Sequence, residues 1–165
     1  MKPSAKNFDP DQNLCALIVD VARLMRRDFG RRMRDLNMTQ SQWRTLMSLR
    51  RYEGINQAPL ADLLEIQPIT LARLLDRMEE AGLVERRPDP KDRRAFCLYL
   101  TPKAKPVVDE MLVLGAETLD ALTAGFSAGD REQAMDLLKR MKRNLTEAEA
   151  KESAPTPANK KTARG

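Results

Sequence analysis

Apolar residues recur along this chain in stripes of helical period, interrupted once by a short alternating run. Leu14, Leu17, Ile18, Val21 and Met25 fall on one side of a first helix, and the stripe continues through Phe29, Met33 and Leu36. Asn37 ends that helix, and Thr39-Gln-Ser-Gln42 reads as a capping box that opens a second. Trp43, Leu46 and Met47 form the second apolar side, and Tyr52-Glu-Gly54 stops it. Pro59 is expected to start a short helix from Leu60 to about Leu64, with Glu65-Ile66-Gln67 as the turn that follows. In the next helix Pro68 suits the first position, where its missing N–H costs nothing, and Gln67 precedes it as a mediocre cap. Leu71, Leu74, Leu75 and Met78 repeat at i, i+3, i+4, i+7 and must face a core. Thr70, Arg73 and Arg77 lie on another face, which stays free. Gly82 can supply the left-handed residue that ends the helix.

The alternating run comes next. Leu83 to Arg87 and Phe96 to Leu100 read as two strands joined by a turn through Pro88-Asp-Pro-Lys-Asp-Arg-Arg94. Phe96, Leu98 and Leu100 are expected on one face, and Ala95, Cys97 and Tyr99 on the other. Thr101-Pro102 then looks like an N-cap with proline at N1. Its helix carries Val108, Met111, Leu112 and Leu119 to about Ala124, with a slight bend expected at Pro106. Gly125 breaks it. Ser127-Ala-Gly-Asp130 caps a last helix in which Ala134, Leu137, Leu138, Met141 and Leu145 repeat at helical spacing. From Glu149 the composition shifts to Ala, Lys, Glu, Pro and Thr without periodicity, which predicts a disordered tail.

A helix with an arginine-bearing free face followed by a basic β-ribbon predicts a winged helix-turn-helix. Such a helix enters the major groove, and the wing reaches along the backbone toward the minor groove. The fold class is therefore mainly α, an α+β winged helix. Residues 1–12 are expected to form a flexible arm, 39–101 the DNA-binding domain, and 149–165 the tail. The long helices within 13–38 and 102–148 carry more apolar surface than a small winged lobe needs. A second copy is the commonest way to cover it, so these segments predict a dimerisation region of a homodimer.

Composition narrows the partners. At 165 residues there is length for one modest domain and its core. The net charge of +5 is compatible with a polyanionic partner. Between Thr39 and Thr101 acidic and basic residues nearly balance, so placement rather than bulk charge must carry DNA affinity. A nonspecific architectural DNA binder is for that reason the weaker alternative. Two cysteines, Cys15 and Cys97, are too few for a disulfide framework. No apolar run approaches the roughly 20 residues that span a bilayer. The polar N-terminus lacks a signal-peptide segment, so a cytoplasmic location is expected. With no histidine, no phosphate-binding Gly-rich loop, no metal spacing and no nucleophile motif, an enzyme, a cofactor or a metal is not expected.

Gln67 to Arg94 resembles the MarR/SlyA family of transcription regulators. The family's wing signature, Asp-x-Arg-Asp-x-Arg-like, reads here Asp89-Pro90-Lys91-Asp92-Arg93-Arg94, with Lys91 in place of the first arginine. The likeness runs from about Asn13 to Asn144 and is strongest between Trp43 and Lys105. It implies a homodimer on a pseudo-palindromic site, more often a repressor, released from double-stranded DNA by a small molecule. In the reading helix, Arg73 can bond guanine O6/N7 bidentately, Thr70 a base or phosphate, and Ile69 a thymine methyl. Arg77 suits phosphate, and Gln67 stands at the tip with them. In the wing, Arg94 matches the arginine that the family inserts into the minor groove, and Asp92 the partner that holds it. Lys91 and Arg93 look like phosphate contacts.

The resemblance also implies an effector pocket where the first, second and fifth helices meet. Trp43 and Met47 would line it, with Phe29, Met33 and Met111 as further candidates. Arg23 or Arg44 could pair an anionic effector, since family ligands are often aromatic carboxylates or phenols. Each of these positions could equally be core, and core is the preferred reading for each. The stretch around Cys15 also resembles OhrR, the family's peroxide-sensing branch, with the cysteine in register. That branch activates its thiolate through tyrosine hydroxyls, and the matching positions are Val19 and Phe29, which donate nothing. Cys15 is accordingly expected to be a buried small hydrophobe, with an organic-peroxide sensor as the alternative. Cys97 is expected to pack.

Overall fold

The computed structural model describes residues 9–92 and 94–152. A 3-10 turn at Pro10–Gln12 precedes α1 (Leu14–Arg32), α2 (Gln40–Arg51), α3 (Gln57–Leu64) and α4 (Pro68–Glu80). Strands β1 (Val84–Pro88) and β2 (Phe96–Leu100) follow, then α5 (Ala104–Leu122) and α6 (Ala128–Glu152). Contacts divide the chain into two units, one ending at Leu122 and the other beginning at Thr123.

Local chemistry sets the boundaries. Asn13 Oδ1 accepts from the Ala16 N–H at 3.0 Å and caps α1. That helix ends at Arg32, earlier than its apolar stripe suggests. Beyond it the bonds tighten to i→i−3, from Arg34 N–H to Arg31 O through Asn37 N–H to Arg34 O. Asn37, at φ 53°, then turns the chain. The capping box of α2 is complete, with Thr39 and Gln42 each bonding the other's backbone N–H. Helix α3 starts at Gln57, not at Pro59 or Leu60. Pro59 falls inside the first turn, where no N–H is required, so it does not need to stand first.

Helix α4 closes as its glycine predicts. Gly82, at φ 70°, donates its N–H to Glu79 O at 2.8 Å, and the Leu83 N–H reaches Met78 O at 2.9 Å. This is a Schellman motif, and it aims the chain directly into β1. The two strands pair antiparallel from Val84 against Leu100 to Pro88 against Phe96. Leu98 is fully buried and Leu100 half-buried, but Phe96 is exposed rather than sharing their cover. It lies at the distal end of the ribbon, past the reach of the helical core. Cys97, on the other face, is buried beside Asn56, with which it forms an isolated bridge.

Thr101 Oγ1 accepts from the Ala104 N–H and donates to Gly82 O, so one hydroxyl starts α5 and fastens it to the end of α4. The core gathers Phe29, Met33, Trp43, Leu46, Leu49 and Leu60 with the α4 stripe, Val84, Leu98, Val108 and Met111.

In the second unit, Ser127 and Asp130 exchange side-chain to backbone bonds that cap α6. Helix α6 runs to Glu152, past the expected boundary at 148. Its last residues, Thr146-Glu-Ala-Glu-Ala-Lys-Glu152, lack an apolar stripe but are mostly strong helix formers. No residue of α6 is buried. Residues 1–8 of the expected arm and 153–165 of the expected tail lie outside the described residues.

Candidate nucleic-acid interface

The sides of α4 are sharply unequal. Leu71, Leu75 and Met78 are fully buried and Leu74 is 6% exposed, whereas Ile69 is 63% exposed. Gln67, Thr70, Arg73 and Arg77 are exposed with it. An isoleucine left this exposed at a helix N-terminus packs little against the described residues. Arg77 folds back along the helix, its Nε–H donating to Arg73 O at 3.2 Å. Thr70 and Arg77 also line a hollow of about 270 Å³ together with Thr39, Ser41 and Gln42 from the start of α2. The positive end of α2 and a guanidinium thus share one concavity, which suits an anion. Helical spacing within α4 does not disclose this hollow, because half of it comes from another helix.

The wing is held by its own aspartates. The Asp89 N–H donates to Ala95 O at 3.0 Å, and Asp89 Oδ1 accepts from the Lys91 N–H at 2.8 Å. Asp92 Oδ1 accepts from the Arg94 N–H at 2.9 Å. Asp92 therefore steadies Arg94 through the main chain, leaving the exposed Arg94 side chain to project. Lys91 is exposed; Arg93 lies outside the described residues. Along the ribbon the Arg87 guanidinium stacks 4.2 Å from the Tyr99 ring centroid. Arg86, counted in the sequence only as one more charge, joins β1 to α4 by bonds to Asp76 and Glu79. Burial works against its charge, but those two carboxylates outweigh it and raise its pKa.

A second, apolar hollow of about 210 Å³ opens where α1, α2 and α5 meet. Phe29 and Trp43 line it and meet edge to face, centroids 4.7 Å apart at 84°. Trp43 Nε1 is buried without an acceptor among the described residues. Gly115 borders the space; a Cβ there would come within 3.6 Å of Phe29. Of the residues expected to line such a pocket, Phe29 and Trp43 do so. Met33 and Met111 instead sit fully buried in the core, and Met47 packs against it half-buried. Arg23 is tied to Asp20 at 2.8 Å on the exposed side of α1, and Arg44 is half-buried elsewhere on α2. The cation at this hollow is Arg26. Its position one turn before Phe29 on α1 was the available signal.

Thr118 lines the same hollow and donates from Oγ1 to Asp28 Oδ2 at 3.1 Å. Asp28 also takes Arg32 at 2.9 Å, and Arg32 continues to Glu117. This clasp joins α1 to α5. The Arg32 bond holds the Asp28 carboxyl below its usual range, against the opposing effect of burial and with help from Thr118.

Cys15 is exposed, contrary to the expectation of burial, as are its apolar neighbours Leu14, Leu17, Ile18 and Val19 on the first half of α1. Val19 is exposed and Phe29 is committed to Trp43, so neither position brings a hydroxyl to the thiol.

Comparison with known proteins agrees with this geometry. The MarR family model matches residues 38–96. The crystal structure of transcriptional regulator PA3341 is 30% identical, with 82% of this chain and 99% of that one covered at a TM-score of 0.72. A MarR transcriptional regulator from Methanosarcina mazei Go1 is 29% identical, covering 82% and 97%, also at 0.72. A mutant MarR from E. coli complexed with operator DNA is 28% identical, covering 83% and 99% at 0.66. The buried and exposed sides of α4, the aspartate-braced wing and these matches together place the chain in the MarR family of winged-helix transcription regulators.

Proposed function

We propose that this protein is a homodimeric repressor that reads a pseudo-palindromic operator and releases it when a small aromatic or phenolic molecule binds. The observation that carries the DNA-reading part is the free face of α4, where Ile69, Thr70, Arg73 and Arg77 stand exposed opposite a buried leucine stripe. Arg73 reads guanine, and Ile69 meets a thymine methyl. Gln67, Thr70 and Arg77 contact base edge or phosphate beside the start of α2. Arg94 enters the minor groove, and Lys91 and Arg93 meet phosphate.

The second copy is supported by α1. Leu14, Leu17, Ile18, Val19, Val21 and Leu24 are all between 38% and 63% exposed on that one helix. A monomer leaving such a stripe in water forgoes roughly 25 cal/mol for each Å² of apolar surface. Two reading heads in a dimer then need half-sites about 34–36 Å apart. The effector is supported by the apolar hollow, with an aromatic body against Phe29 and Trp43 and an anionic group at Arg26. No helix among the described residues is long and apolar enough to cross a membrane, and DNA as partner suits the cytoplasm.

Sedimentation of the full chain, beside binding to an operator selected from random duplexes, tests the proposal. A dimer is expected, and full sites should bind far more tightly than half-sites. Benzoate, added as a simple aromatic carboxylate, should weaken full-site binding and alter the emission of Trp43, the chain's one tryptophan. A monomer binding half-sites and full sites alike would overturn it.

A further inference from the structure

Asn56 occupies the N-cap position of α3 but makes no capping bond. Asparagine is favoured at that position because its side-chain oxygen accepts from the first turn. Here the side chain is turned to the wing instead. Its Nδ2 donates to Asp89 Oδ2 at 2.9 Å, and its Oδ1 accepts from the Cys97 thiol at 3.3 Å. A carboxylate only accepts, so the amide must present its NH₂ to Asp89, and the thiol fills the other end. The main chain supports the same junction. Leu98 N–H donates to Ile55 O at 3.0 Å, and Gly54 N–H to Leu98 O at 2.9 Å.

Asp89 opens the wing signature, and its two oxygens divide their work. Oδ1 takes the Lys91 N–H within the turn, and Oδ2 takes Asn56 from the helical lobe. We propose that Asn56 is a positioning residue for DNA binding, setting the direction of the wing through Asp89 while Cys97 fixes the amide's orientation. This inference rests on the reading of Arg94 as a minor-groove contact. A two-stranded ribbon by itself is marginally stable in water, and Asn56 ties it to the helical lobe near its turn end, where Asp89 and Cys97 stand. Arg94 lies in the turn that Asp89 opens, so losing this tether spreads the Arg94 side chain over many poses. Burial, and then the charge of Asp89, push the Cys97 thiol up, which keeps it protonated and able to donate.

The test uses the full-length protein and its selected operator duplex, with Asn56→Ala, Asp89→Ala and Cys97→Ser made in both wild-type and Arg94→Ala backgrounds. Asn56→Ala and Asp89→Ala should each weaken binding about three- to tenfold. In the Arg94→Ala background the same changes should cost less than about twofold, because the contact they position is already gone. Cys97→Ser, which keeps a donor, should bind like wild type. If Asn56→Ala does not fold, Asp89→Ala removes the same bond from the turn side, together with the Lys91 N–H bond at Oδ1. Losses that simply add to that of Arg94→Ala would show a structural role only and overturn the inference. Arg94→Ala binding like wild type would overturn the wing reading itself, and the inference with it.

Discussion

Arg86 on β1 donates from Nη2 to Asp76 Oδ1 on α4 at 2.7 Å. The same guanidinium reaches Glu79, whose other oxygen accepts the Arg86 backbone N–H at 3.2 Å. The strand that leads into the wing is thus fastened to the reading helix by side chain and main chain together. Arg86→Ala should lower unfolding stability by about 1–2 kcal/mol, since its side chain is only 19% exposed while the two carboxylates are wetter. Arg86→Lys should recover little, because an ammonium cannot span both acids as a fork. Urea unfolding measures this; an unchanged midpoint for Arg86→Ala would show the bonds to be replaced by water without loss.

Arg73 carries the sharpest test of base reading. Arg73→Ala should cost about 1–3 kcal/mol on the selected operator and relax base preference at one position in each half-site. Competition binding against operator and random duplexes measures both effects. Equal losses on the two would reassign Arg73 to phosphate contact.

Asp28 makes a prediction about acid. Its folded pKa lies below the ordinary 3.8, held there first by Arg32 and also by Thr118. A carboxylate with a depressed folded pKa adds stability above its unfolded pKa, and that contribution vanishes as pH falls through the folded value. Asp28→Asn should therefore be less stable than wild type at neutral pH, and the difference should close below pH 3.8. Melting curves across the acid range would show it. A gap that persists undiminished at the acid end would mean that packing, not charge, holds α1 to α5.

Cys15 separates effector sensing from peroxide sensing. The thiol is exposed but has no hydroxyl donor from Val19 or Phe29. Operator binding by wild type and by Cys15→Ser should respond identically to an organic hydroperoxide. Release of the wild type alone would establish the redox reading.

Much of the fold was legible along the chain because its causes are local. A capping box at Thr39 and Gln42, a proline at the start of α4 and a left-handed glycine at position 82 act within a few residues of themselves. The periodic stripe of α4 likewise dictated which of its sides would be buried and which would stand free. Short-range rules also erred where local signals competed: the apolar stripe of α1 ran past the helix end, and Pro59 lay inside α3 rather than at its start. The tertiary structure decided everything that depends on residues far apart in sequence. Asn56 meets Asp89 and Cys97, Asp28 meets Thr118, and Arg26 shares a hollow with Gly115 only after α1, α3, the wing and α5 have packed. No periodicity encodes such meetings, because a hydrogen bond or a cavity wall is fixed by the distance between elements and not by the order within one. The same reason explains why Met33 and Met111 read as possible pocket walls yet lie wholly in the core: spacing tells which side of a helix is apolar, and only the neighbour packed against that side tells whether it is filled.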